Sequence, residues 1–387
     1  MSDIQMPSDD QLTKGRISKS VYLPGLNGLR AIAALAVLIG HTTGQFDKFG
    51  LNNKIFGIDT DGNARGLALA AYGVTIFFTL SGFLITYLLL KEKETGSINI
   101  KNFYVRRILR IWPLYYLYFF VCIFTLLYCG IDFPKFAIPY YLFFAANVPF
   151  LFGGAITILV HLWSIGVEEQ FYLFFPHIAR LPNKKLFKIT IALIAILFFA
   201  RIVCWAIFRK YGFELPYKVI TVNRFHMMLI GVVGAILYYN GNQRFLYVCT
   251  HKATQIVAWI CVALLAANRF HIASVIDGEL IAIVTVFLIV GQITKKNNLI
   301  NLENKLFDFT GKISYGIYVI HPLLLLCFSR WIGHLPNTVM SYVLVYGLML
   351  VTTILLSYLS YELYEKRFLK LKRKYATVKS SSTKNGL

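Results

Sequence analysis

The chain has 387 residues, 57% of them hydrophobic and only 15% charged, with a mean hydropathy of +0.61. Soluble domains carry roughly a quarter charged residues, so a water-soluble globular class is excluded for most of the length. The net charge of +21 does not point to nucleic acid. Lys and Arg lie in the short connections between apolar runs, as positive-inside topology requires.

Residues 1–22 are a polar tail with Lys14, Arg16 and Lys19 and without the apolar core of a cleavable signal peptide. The first apolar run, about 25–45, carries Arg30 and His41 eleven positions apart. At about 100° and about 1.5 Å per residue, both side chains leave one helix face, about 16 Å apart along the axis. An ionisable residue within a span marks a functional site by default. A polar stretch over 46–70 reads as a loop, and a second span follows over about 72–90. The connection Lys91–Arg110 then holds six basic residues, among them Arg106, Arg107 and Arg110.

A third span covers about 111–130. Residues 137–155 are apolar but interrupted by Pro139, Asn147, Pro149 and the Gly153-Gly154 pair. A re-entrant or interfacial segment is expected there, because a full crossing would turn the basic stretch from Arg180 to Lys188 outward, against the charge rule. Span four, about 161–178, carries His161, Trp163, Glu168 and Glu169. Neighbouring helical residues point about 100° apart, so one glutamate faces the interior, and Glu168 is favoured. The remaining spans fall at about 188–208, 219–238, 246–267, 275–292, 311–331 and 339–363. Arg224 lies in the sixth, and Tyr315 and His321 in the ninth.

The expected fold is therefore all-α: a polytopic membrane protein of about ten transmembrane helices plus one re-entrant or interfacial segment, with both termini cytoplasmic. The expected division is a tail (1–22), a membrane domain (23–368) and a basic tail (369–387), the chain from Lys366 onward being disordered against anionic lipid. The six cysteines lack metal or redox spacing and read as small apolar residues. No metal is expected. A buried guanidinium needs a partner, so Glu168 or Glu169 is expected to neutralise Arg30 or Arg224, or to orient His41. Ser81 precedes Gly82 and reads as a helix-packing pair rather than a nucleophile. Tyr315 reads as a packing hydroxyl, and His321 is open between a site role and a packing one.

Five segments carry a resemblance: Arg30 with His41, FFTLSGFLI at Phe77–Ile85, FYVRRILRIWPLYY at Phe103–Tyr116, HLWSIGVEEQFYLFFP at His161–Pro176 and GKISYGIYVIHP at Gly311–Pro322. In this order they resemble the acyltransferase-3 family of integral membrane acyltransferases, over about residues 22 to 368. The resemblance implies transfer of an acyl group, most often acetyl, from cytoplasmic acyl-CoA to a sugar hydroxyl of a surface or exported glycan, either free or lipid-linked. It implies that Arg30 and His41 are required and that the basic segment with Arg106, Arg107 and Arg110 takes part; since guanidinium pairs well with phosphate, these three arginines are expected to contact the phosphates of CoA. His41 would act as general base or take the acyl group itself, and His161 and Trp163 would shape the acceptor entrance. The expected setting is the bacterial inner membrane, with lipid and glycan as partners and no nucleic acid. Some relatives carry an extra extracytoplasmic domain with its own serine nucleophile, and a stand-alone form is expected here. The competing reading is a polytopic transporter or flippase for a glycan or small polar substrate. No internal repeat supports it.

Overall fold

In hydrocarbon every backbone N–H and C=O must be satisfied within its own segment, so apolar runs of this length become helices. The computed structural model describes residues 20–58, 64–376 and 378–381. The tail expectations for residues 1–19 and 382–387 lie outside the described residues. A short strand β1 (Ser20–Tyr22) leads to Gly25, whose φ of 74° turns the chain into helix α1 (Leu26–Gly44). Helices α2 (Gly66–Glu94) and α3 (Ile100–Tyr128) follow, the latter capped by Asn99, whose side chain accepts from the Asn102 N–H. Two five-residue helices come next, α4 (Ile138–Leu142) and α5 (Asn147–Leu151). At about 1.5 Å per residue neither approaches the roughly 30 Å of a bilayer core. The expected non-crossing segment at 137–155 is this broken pair.

The chain continues through α6 (Trp163–Ala179), α7 (Asn183–Tyr211), α8 (Glu214–Asn223) and α9 (Phe225–Tyr239). Arg224, at φ 45°, separates the last two. Then come α10 (Gln243–Thr250), α11 (Lys252–Ala266), α12 (Asp277–Thr294), α13 (Lys305–Lys312), α14 (Ser314–Ile332) and α15 (Val339–Ser360). Among the described residues eight helices are long and apolar enough to cross a membrane, or nine if the bent pair α10–α11 is one span. The expected fourth span is α6, which at 17 residues is shorter than the others.

Helix α2 is the centre of the bundle, packed between α1 on one side and α9 on the other. Its contact with α9 is backbone-close. A Cβ at Gly82 would sit 2.0 Å from the Met228 carbonyl oxygen, and one at Gly231 would sit 2.2 Å from the Thr79 carbonyl oxygen. Small residues at such crossings let membrane helices approach and gain dispersion contact. Helices α7 and α15 are peripheral and turn apolar side chains outward: Phe199 is 68% exposed and Val351 64%. In water this would be an aggregation surface. Against acyl chains it carries no penalty, which fits a multi-pass membrane protein.

One expectation fails at the C-terminal end. Among the described residues, the chain after α15 is not a disordered tail. It runs through a π-helical turn (Tyr361–Glu365) into helix α16 (Lys366–Lys372) and a 3₁₀ turn (Arg373–Tyr375), ending in strand β2 (Lys379–Ser381). Strand β2 pairs in parallel with β1, Ser20 opposite Lys379 and Tyr22 opposite Ser381. Composition alone favours disorder here. Docking against α3 overrides it: Arg106 donates to the Tyr375 carbonyl at 2.9 Å and the Tyr364 hydroxyl to the Pro113 carbonyl at 3.3 Å.

Candidate active site

A cavity of about 620 Å³ lies between α1, α2, α3, α6 and α14. Antiparallel helices order its walls by depth. At one end Arg106, Arg107 and Arg110 of α3 meet Lys372 and its neighbours. Arg30 of α1 lies deeper, beside Ser81, Glu168 and Tyr172. Phe77, Ser164 and Tyr318 line the far end.

The arginine end carries more positive charge than its acids balance. Arg106 pairs with Glu92 at 2.8 Å, and Glu92 also accepts the Asn99 N–H at 3.2 Å. Arg107 and Arg110 form no ion pair among the described residues. Arg107 instead lies over the rings of Phe103 and Tyr172, 5.6 and 5.4 Å from their centroids. All three predicted arginines line the cavity, but Arg106 also serves as a structural anchor.

The predicted pairing of Arg30 does not occur. Its guanidinium donates to Asn27 Oδ1 at 3.3 Å, and no carboxylate lies within ion-pair distance among the described residues. Glu168 is engaged elsewhere, because the hydroxyls of Ser81 and Tyr172 both hydrogen-bond to its Oε1. Ser81 therefore faces the cavity, and packing falls to Gly82 alone. Glu169 points away from the cavity and accepts the Trp112 indole N–H at 3.1 Å, so the choice between adjacent glutamates follows helix geometry. Arg224 is satisfied by the Ala71 carbonyl at 3.1 Å and Thr75 Oγ1 at 3.2 Å, with Trp163 beneath it at 5.7 Å. Trp163 also stacks on Phe150, centroids 5.4 Å apart. The Tyr315 hydroxyl donates to the Ile111 carbonyl at 2.8 Å, a packing contact between α14 and α3, while the ring lines the cavity.

Beyond Tyr318 three histidines converge. His41 Nδ1 lies 2.8 Å from His321 Nε2, and the rings stack. The His161 and His321 ring centroids are 5.5 Å apart. The hydrogen bonds assign the tautomers. His321 Nδ1 faces the Ile317 carbonyl at 2.9 Å. A carbonyl can only accept, so that nitrogen carries the proton and Nε2 of the neutral ring is bare. His41 must then donate from Nδ1, which leaves its Nε2 lone pair free to take a proton. His161 donates from Nε2 to the Val319 carbonyl at 3.1 Å, and its Nδ1 is buried with no partner among the described residues.

Of the two ionisable residues of α1 only Arg30 lines the cavity; His41, expected beside it on the same passage, meets His321 of α14 instead. Tyr318 stands between the cavity and the histidines: its hydroxyl donates to the His161 carbonyl at 2.7 Å, and its ring packs edge-on to Phe77 at 5.9 Å. The sequence reading missed Tyr172 and Tyr318, whose motif partners were in view. It also missed a buried pair outside the cavity, where Arg201 donates to Glu279 at 2.7 Å; His226, in view on the sixth span, brings its Nε2 to the same carboxylate at 3.1 Å.

Over residues 23–362 the chain matches the family described as an acyltransferase domain. It is 29% identical over 384 residues to a protein named "Putative O-acetyltransferase" in Staphylococcus aureus (strain COL), a match covering 92% of this chain and 59% of that one. It is 36% identical over 168 residues to O-acetyltransferase OatA of the same strain, covering 40% of this chain and 24% of that one. The chain spans less than two thirds of the length of these relatives. No solved structure matches it.

Proposed function

The chain belongs to the acyltransferase-3 family of membrane acyltransferases, and from that premise we propose that it moves an acyl group, acetyl by preference, from acyl-CoA to a glycan hydroxyl. The observation that carries this reading is the cavity itself. It begins at Arg107 and Arg110, which form no ion pair among the described residues, and ends one ring layer short of a histidine whose free nitrogen can accept a proton.

In this reading the arginine end faces the cytoplasm and takes the phosphates of the donor, since guanidinium pairs well with phosphate oxygens. The pantetheine arm lies along Arg30 and the Ser81–Glu168–Tyr172 cluster, bringing the thioester toward Tyr318. His41 Nε2 removes the proton from the acceptor hydroxyl as the oxygen attacks the thioester carbonyl. The carbon–sulfur bond breaks, CoA leaves as thiolate, and the imidazolium returns the proton. His321 holds the His41 ring in the tautomer that this step needs. The acceptor, a free or lipid-linked glycan, enters beside Trp163 from the opposite side.

The test uses the purified full chain in lipid vesicles with labelled acetyl-CoA and measures release of free CoA with and without an oligosaccharide acceptor. Acceptor-dependent release that His41→Ala abolishes supports the reading. Release that survives His41→Ala rejects the assigned base, and no release with any acyl-CoA rejects the donor.

A further inference from the structure

The segment that follows the last long helix has no role in the reaction described so far, yet it closes the arginine end of the cavity. Lys372, Arg373 and Lys374 line that end together with Arg106, Arg107 and Arg110. Two anchors hold the segment there: the Arg106 bond to the Tyr375 carbonyl and the parallel pairing of β2 with β1. Tyr22, at the end of β1, lines the same cavity and is tied by its hydroxyl to Glu303.

The charges in this arrangement are unbalanced. Lys372 forms no hydrogen bond and no ion pair among the described residues, and it stands in the field of Arg30, Arg106, Arg107 and Arg110. Five positive groups around one cavity, against the carboxylates of Glu92, Glu168 and Asp308, leave a surplus of positive charge that a bound anion would relieve. Arg107 and Arg110 of α3 alone could meet one phosphate. Two basic walls facing one cavity suit a ligand with several phosphate groups.

We propose that Lys372, Arg373 and Lys374 form the second wall of the donor site and bind phosphate groups of the nucleotide part of the acyl donor. This rests on the donor assigned above. The two paired chain ends are then the floor of a binding site, and donor specificity is set partly by residues outside the long helices. Anionic lipid headgroups offer the same phosphate chemistry, so the test separates the two sources.

The experiment compares acetyl-CoA with S-acetylpantetheine, which carries the thioester arm without the phosphates. The full chain and the variant Lys372→Ala/Arg373→Ala/Lys374→Ala are assayed in neutral phosphatidylcholine vesicles and in vesicles containing phosphatidylglycerol. In the wild type, kcat/KM favours acetyl-CoA. That preference falls by about tenfold or more in the variant in both lipids, as expected for lost charge-assisted contacts. Lys372→Arg/Lys374→Arg keeps the charge and keeps the preference. An unchanged preference in the triple variant overturns the proposal, as does equal loss with both donors, which marks a structural defect. A loss confined to anionic vesicles assigns the segment to headgroups and also overturns it. If the wild type shows no preference for acetyl-CoA, the donor reading itself fails.

Discussion

His41 and His321 lie 280 positions apart in the chain and 2.8 Å apart in space, joined through Nδ1 of one and Nε2 of the other. The Ile317 carbonyl fixes the proton on His321 and thereby the free nitrogen of His41. If His41 is the base, as proposed, His41→Ala should lower turnover by about 10²–10⁴-fold, the usual contribution of a positioned general base. His321 acts through His41. His321→Asn, whose side-chain oxygen can still accept from Nδ1, should retain more kcat than His321→Leu at similar KM. Equal kcat in the two variants would show that the tautomer is not set this way.

Glu168 accepts two hydroxyls on the cavity wall, and Ser81 is one of them. Ser81→Ala leaves the Tyr172 bond in place, so it should reduce kcat only a few-fold, about the value of one net hydrogen bond. Complete loss of transfer in Ser81→Ala, with the protein still folded, would instead identify the serine as a nucleophile. Single-turnover acylation with labelled donor distinguishes the two.

Arg107 and Arg110 have no acidic partners to lose among the described residues, so their replacement need not weaken the fold. Arg107→Ala/Arg110→Ala should raise KM for acyl-CoA by about tenfold or more, with the thermal midpoint held. A fall in the midpoint with KM unchanged would make them structural.

Arg201 and Glu279 behave in the opposite way. They form a buried pair outside the cavity. Glu279→Gln leaves a guanidinium without its counter-charge, and breaking one partner of such a pair typically costs about 3–5 kcal/mol. The double replacement Arg201→Met/Glu279→Leu should recover most of that loss, read as the unfolding midpoint in detergent. A double variant no more stable than Glu279→Gln would argue against an uncompensated charge.

Gly82 tests the central helix crossing. Its hypothetical Cβ meets backbone, not a flexible side chain, so α2 and α9 must separate to admit it. Gly82→Ala should lower stability by about 1–3 kcal/mol, whereas Gly347→Ala, with nothing within 4 Å, should be near neutral. Equal midpoints for the two would remove the case for close packing.

What the sequence made legible was local. Helical periodicity put Arg30 and His41 on one face and separated Glu168 from Glu169. Broken backbone between Pro139 and Gly154, with the basic stretch from Arg180 to Lys188, argued against a span there. What it hid was contact between distant segments. Ser81 looked like a packing residue because its partners stand on another helix, 87 and 91 positions on. Arg30 was assigned a carboxylate because a buried charge calls for one, while the fold gives it Asn27 and a cavity. The residues after Ser360 have the composition of a tail, and only their docking on α3 reveals a wall of the site.

The strand pair formed by the two chain ends also fixes a parity. Strands β1 and β2 lie side by side on one face, so the chain between them crosses the bilayer an even number of times. Helix α6 reaches between the two ends of the cavity: Ser164 in its first turn sits by Tyr318, while Arg180, just past its end, bonds the Ile98 carbonyl at the arginine side. Added to the eight long helices it makes nine, and an odd number would put the ends on opposite faces. An even count is restored if the bent pair α10–α11, which passes the length and apolarity test as one unit, crosses as well.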